Sequence, residues 1–309
     1  MPEADAPPAR RDDRLPLHLQ RLRHLSWEGF SFVLPPGWEI TAYSLDAKNG
    51  QFQFFERGTF RAQLVWRKVP KAPDLPRILN EIHRRQLEKD APGSSKSFST
   101  LEFAQIGRFL VGHDRPGLPC QASLFQPDRG LLIQWVFPSY DPGDFITSWM
   151  PLLDSFAPND AAEMRWELFG LSLRLPRSMT FEEITPDPAN VALSFETRKH
   201  AKLVARRMGL PTIVLAGTSL ARVHARILER AGSRILSCED LSMDGHRAVR
   251  TRFDRRGMKG MEKLVGGWWP GDAWIWHDEI EGRIYAIEQF GPRKQIPIEL
   301  SAIIRRDGP

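Results

Sequence analysis

Two cysteines, Cys120 and Cys238, are all that 309 residues contain. They lie in different halves at positions that do not correspond, which argues against a disulfide framework or a Cys-based zinc site. No stretch approaches the roughly 18 consecutive apolar residues of a membrane span. The opening residues Met1 to Arg14 have no apolar run of signal-peptide type, and their arginines are mixed with acids, unlike a transit peptide. A cytoplasmic location with reduced thiols is therefore expected. Also missing are the P-loop, the GxGxxG turn, the nucleophile elbow and the HExxH pair, any of which would name a reaction.

What is present is ordinary in bulk and unusual in distribution. A hydrophobic content of 41% with 26% charged residues fits a globular chain, long enough for two compact domains. Residues 27–158 balance 14 basic against 14 acidic side chains, whereas 198–263 hold 16 basic against 6 acidic. Such a local excess can steer an acidic partner.

The halves also read alike. The first opens Trp27-Glu28, runs through the apolar alternation Phe30-Ser31-Phe32-Val33-Leu34 and stops at Pro35. The second opens Trp166-Glu167, runs through Leu171-Ser172-Leu173-Arg174-Leu175 and stops at Pro176. Alternation of this kind predicts a half-buried strand. Gln51–Glu56 with Leu64–Lys68, and Val191–Glu196 with Leu203–Arg207, predict one hairpin in each half. A helix follows in each, capped by Asp74 or by Thr218 or Ser219; Leu75, Ile78 and Ile82 match Leu220, Val223 and Ile227 at one constant offset. Each half then reads as a β-meander and a short closing helix, Met150-Pro151-Leu152 against Ile296-Pro297-Ile298. The expected architecture is α+β: an N-terminal extension (1–26), then two tandem copies (27–157 and 163–305) of an antiparallel sheet flanked by helices, in the order β-β-β-α-β-β-β-β-α.

That order, with Phe30 to Trp38 ending Leu-Pro-Pro-Gly-Trp and the closing Leu152-Leu153-Asp154-Ser155-Phe156, resembles the PsbP-like fold. This fold is shared by the photosystem II extrinsic subunit, Mog-type Ran-binding proteins and bacterial DcrB-like proteins, some of which resemble chaperones for secreted effectors. The second copy departs from the pattern at Arg177-Ser178-Met179, where Gly-Trp is missing. The resemblance implies binding of other macromolecules and carries over no catalytic residue.

The unusual residues fall in the second copy. A two-residue turn at Glu281-Gly282 would set Trp276 opposite Ile287, Asp278 opposite Tyr285 and His277 opposite Ala286. His277, Glu279 and Glu288 would then share one face, as a speculative metal site or acid–base pair, with His246 or Asp244 as further ligand. Against that stands a solvated or helix-covered strand face with ion pairs to nearby arginines. Around Glu288 the first copy would offer Trp135. Trp268 and Trp269 could be exposed binding anchors or core, and Trp274 and Trp276 are assigned to the core. Arg250, Arg252, Arg255, Arg256 and Lys259 form a basic stretch that could meet phosphate or an acidic protein, though no aromatics interleave with it. His224, at the helix position of Leu79, reads as a core-edge histidine.

The sequence therefore predicts a non-catalytic binding or assembly protein with no cofactor. Its second repeat would offer a basic, Trp-rich surface to an acidic or apolar protein partner. The alternatives are a metal-dependent enzyme centred on that repeat, and nucleic-acid binding.

Overall fold

The computed structural model describes residues 23–292, apart from 28, 46–48, 91–100, 160–162, 188, 244 and 257–266. In chain order the first half gives β1 (Arg23–Trp27), β2 (Phe30–Leu34), β3 (Glu39–Leu45), β4 (Asn49–Glu56) and β5 (Thr59–Lys68). Helix α1 (Leu75–Asp90) follows, then β6 (Glu102–Ile106), β7 (Phe109–His113), β8 (Cys120–Gln126) and β9 (Leu131–Phe137). Short helical pieces α2 (Pro142–Asp144) and α3 (Met150–Asp154), joined by a π-helical turn, lead to β10 (Ala157–Pro158). The second half gives β11 (Glu163–Leu168), β12 (Leu171–Pro176), β13 (Met179–Asp187), β14 (Asn190–Thr197) and β15 (Lys202–Met208). Helices α4 (Pro211–Val214) and α5 (Leu220–Arg230) precede β16 (Ser233–Met243), β17 (His246–Arg256), β18 (Trp268–Asp278) and β19 (Arg283–Phe290).

The expected α+β class is corrected: the chain is mostly β, built on three antiparallel sheets with few helices. Two reasons account for the difference. Trp27 and Trp166 lie in strands of their own, β1 and β11, each paired antiparallel with the apolar run that follows, so each half opens with two strands and not one. In the second half, Phe169 (φ 51°) and Gly170 (φ 75°) both adopt the left-handed conformation that closes a tight hairpin. Glu39–Leu45 is largely exposed, so its sequence lacks the clean alternation that marks a half-buried strand. Strand β1 also begins at Arg23, inside the segment read as an N-terminal extension.

Two sheets have seven strands, ordered β3-β4-β5-β9-β8-β7-β6 and β13-β14-β15-β19-β18-β17-β16, so they are wound the same way. The third joins them. Its order, β10-β2-β1-β11-β12, unites the opening hairpins of both halves through β1 and β11, with Ser26 opposite Glu167. Trp27 and Trp166 therefore meet across the junction, ring centroids 5.0 Å apart at 87°. Trp27 also touches Phe52 and Trp66 of one seven-stranded sheet and Phe181 of the other. One apolar core runs through all three sheets. Asn159 secures the seam: its side-chain amide donates to the Arg165 carbonyl (2.7 Å) and to Ser26 Oγ (3.2 Å).

Helix α1 packs on β7 and β8, and α5 on β16, β17 and β18. Asp74 caps the first, its Oδ1 accepting from Arg77 N, and Ser219 caps the second. Among the described residues no helix is long and apolar enough to cross a membrane. Residues 296–298, expected in a closing helix, lie outside the described residues.

Candidate functional site

The β18–β19 hairpin decides the fate of the proposed metal site. Its turn has four residues, Glu279 to Gly282, because Asp278 is not a simple strand residue. The Asp278 Oδ1 accepts from Ile280 N and Glu281 N, each at 3.0 Å, and so caps a longer turn. Gly282 supplies the left-handed residue that closes it (φ 60°). The expected register is corrected accordingly: Trp276 faces Tyr285, His277 faces Ile284 and Asp278 faces Arg283. Glu288 faces Ala273, four residues along β18 from His277, and so lies on the order of 13 Å away along the strand. Glu279 is exposed in the turn. His246 Nε2 stands 3.9 Å from Asp278 Oδ2, and Asp244 lies outside the described residues. Among the described residues, no three His, Cys, Asp or Glu side chains form a group that could hold a metal.

Glu288 belongs instead to a buried ionic cluster under α5. It is fully buried, with Arg206 Nε 2.9 Å from one oxygen and Arg255 Nη2 2.8 Å from the other. Burial alone would raise its carboxyl pKa, but the two guanidinium groups outweigh burial and hold it below the usual value. Arg255 also donates to Ser233 Oγ (2.8 Å) and lies over the rings of Phe253 and Phe290. It is therefore not part of any basic surface. The strand pairing also revises the match between halves. Val204, on β15, faces Glu288, and Val65 on β5 faces Gln134, so Glu288 corresponds to Gln134 and not to Trp135. Gln134 bonds Ser123 at 3.2 Å. The first half thus buries a neutral pair where the second buries charge.

His224 lies beside this cluster, fully buried on α5, with its Nδ1 3.0 Å from Thr251 Oγ1. Burial pushes its pKa down to about 4, against a smaller upward pull from Glu288. Between that value and the unfolded one near 6.5, the unfolded chain binds a proton that the folded chain refuses. Stability from this group is complete above about pH 6.5 and falls as the pH drops towards 4, by roughly 3 kcal/mol in all. His224→Leu, which places there the residue type of Leu79, is expected to flatten that part of the pH profile in urea titrations. Equal slopes for the two proteins would refute this.

The opposite face of the same strands is different. Trp268 is 38% exposed, with the guanidinium of Arg234 5.1 Å and that of Arg256 5.8 Å from its ring. Trp274, half-buried on the same face and not the full core residue expected, has Arg250 at 5.7 Å. Arg250 pairs with Asp272 (3.0 Å) and Glu239 (3.3 Å), and Arg234 with Asp254 (2.8 Å). Arg252, largely exposed, is 3.9 Å from Asp272. Aromatics and arginines therefore do interleave, across strands rather than along one. Trp269 points the other way: it is buried with Phe253, Leu228 and Phe290, and so is not an anchor. Gly271 is required beside it, since a Cβ there would lie 2.5 Å from Phe253 and 2.8 Å from the Gln289 carbonyl. Lys259 lies outside the described residues.

No protein-family model matches the chain, and no curated protein does. One solved structure it resembles is the solution structure of cyanobacterial PsbP (CyanoP) from Synechocystis sp. PCC 6803. The likeness has 12% sequence identity and a TM-score of 0.32, and covers 42% of this chain and 81% of that one.

Proposed function

We propose that the protein is a non-catalytic binding or assembly module that meets an acidic or apolar protein partner through the outer face of β16, β17 and β18. The observation that carries this reading is Trp268, partly exposed between Arg234 and Arg256. Trp and Arg are the residue types that concentrate binding energy at protein interfaces. The ion pairs to Asp272, Asp254 and Glu239 make the face mixed in charge, which suits a protein surface better than a run of phosphates. The metal-enzyme reading draws no support from the geometry, since Glu288 is engaged by two arginines and lies far from His277 along the strand. The common winding of the two seven-stranded sheets supports reading the chain as one unit used twice, over 27–157 and 163–305, and the PsbP-like, Mog-type and DcrB-like kinship of that unit is part of the proposal. In that reading the first unit is scaffold and the second carries the binding face.

The test is affinity capture with immobilised full-length protein. Wild type is expected to retain a defined protein that a Trp268→Ala/Arg256→Glu variant, folded as judged by circular dichroism, loses. Capture unaffected by the variant, or turnover of a small substrate by the purified protein, would overturn the proposal.

A further inference from the structure

The second half also carries a trough on the helix side of its sheet, facing away from Trp268. Met208, Ile213, Val214, Val223 and Ile227 line it together with Ala189 and Asn190 at one end, around a volume of about 390 Å³ open along one side. Helix α4 makes one wall, and nothing equivalent stands between β5 and α1 in the first half. Ile213, one of the lining residues, is 68% exposed.

The other wall is charged. Arg226 and Arg230 border the trough, and Arg222 lies one turn earlier on the same helix face. At i, i+4 and i+8 the three guanidinium groups are spread over about 12 Å of helix axis. Among the described residues none has a carboxylate within ion-pair distance, Arg226 donating instead to Thr218 Oγ1. The matching helix of the first half shows what compensation looks like. There the three positions are Arg77, Glu81 and Arg85, and Glu81 holds both Arg84 and Arg85 at 2.8 Å. Where the first helix sets one acid among its arginines, the second has Arg226 and so three arginines in a row, beside an apolar trough.

We infer that this trough is a docking site for an amphipathic, acidic segment of a partner protein, with apolar side chains on the floor and carboxylates along α5. An array about 12 Å long fits repeated carboxylates on one segment better than a single anionic headgroup. A concave trough also does not match a flat bilayer. Residues 1–22 and 293–309 are not acidic overall. Residues 293–309 carry Arg293, Lys294, Arg305 and Arg306 against Glu299 and Asp307, and residues 1–22 balance four arginines with four acids. The inference stands apart from the proposed role of the outer face.

The probe is a fluorescein-labelled helical peptide of about 16 residues, with leucines at i, i+3, i+4 and i+7 spacing and glutamates on the flanks, followed by anisotropy against the full-length protein. Wild type is expected to bind it, and Arg226→Glu, which restores the acid of the first half, to bind at least tenfold more weakly. Ile213→Glu, on the exposed lip, should lose binding to a similar extent, as should a peptide with its leucines changed to serine. Trp268→Ala should leave binding unchanged, which separates this site from the outer face. No binding by wild type, equal binding by both trough variants, equal binding of the serine peptide, or binding only to phosphatidylserine vesicles would each overturn the inference.

Discussion

Glu288→Ala is expected to destabilise the protein by about 3–5 kcal/mol, because it leaves two guanidinium groups facing each other without the carboxylate between them. Arg255 and Glu288 are both buried, and Arg206 is mostly so, which leaves little water to absorb the charge. Glu288→Gln keeps the shape and loses the charge, and should fall between alanine and wild type. Replacing all three by apolar residues of similar volume is a different experiment. It removes charge and counter-charge together, and such exchanges are often neutral or stabilising. The expected pattern in urea unfolding is therefore a large loss for the single change and recovery in the triple. A loss below about 1 kcal/mol for Glu288→Ala would mean that water reaches the cluster and screens it.

Trp27→Ala should cost a comparable amount, about 3–5 kcal/mol, for a different reason. The indole is 1% exposed and packs on Phe52, Trp66, Trp166 and Phe181, so its removal opens a cavity where all three sheets meet. Trp166→Ala should act similarly. Because the rings touch edge to face, the double variant should lose less than the sum, with a coupling on the order of 1 kcal/mol. The shared five-stranded sheet also predicts that both halves unfold in one transition. Additive losses, or two transitions, would contradict a common core.

The sequence made some of this legible and hid the rest for physical reasons. Apolar alternation at Phe30–Leu34 and Leu171–Leu175 found the strands that build the central sheet, because those positions bury every second side chain. It could not reveal that β1 and β11 pair with each other, since register between distant strands leaves no local mark. The fold class failed where strands are exposed, as at Glu39–Leu45 and along β16, whose residues are mostly open to solvent. In the candidate metal site, the face shared by His277 and Glu288 was read correctly, but the spacing was not. An even error in register keeps each side chain on its face while sliding it along the strand. Asp278 was the missed signal, an Asp that bonds backbone amides two and three residues ahead and lengthens the turn. The arginine stripe on α5 was present as an i, i+4, i+8 pattern, and it gains meaning only beside Glu81 of the other helix.

Trp268 bears the weight of the functional reading, and hydroxyl-radical footprinting of the chain with and without its captured protein tests it most directly. Oxidation of Trp268 and Trp274 is expected to fall on complex formation, while Ile146, exposed in the other half, stays as reactive as before. Unchanged oxidation of Trp268 in a saturated complex would show that the partner sits elsewhere and that the outer face of β16–β18 is not the binding surface.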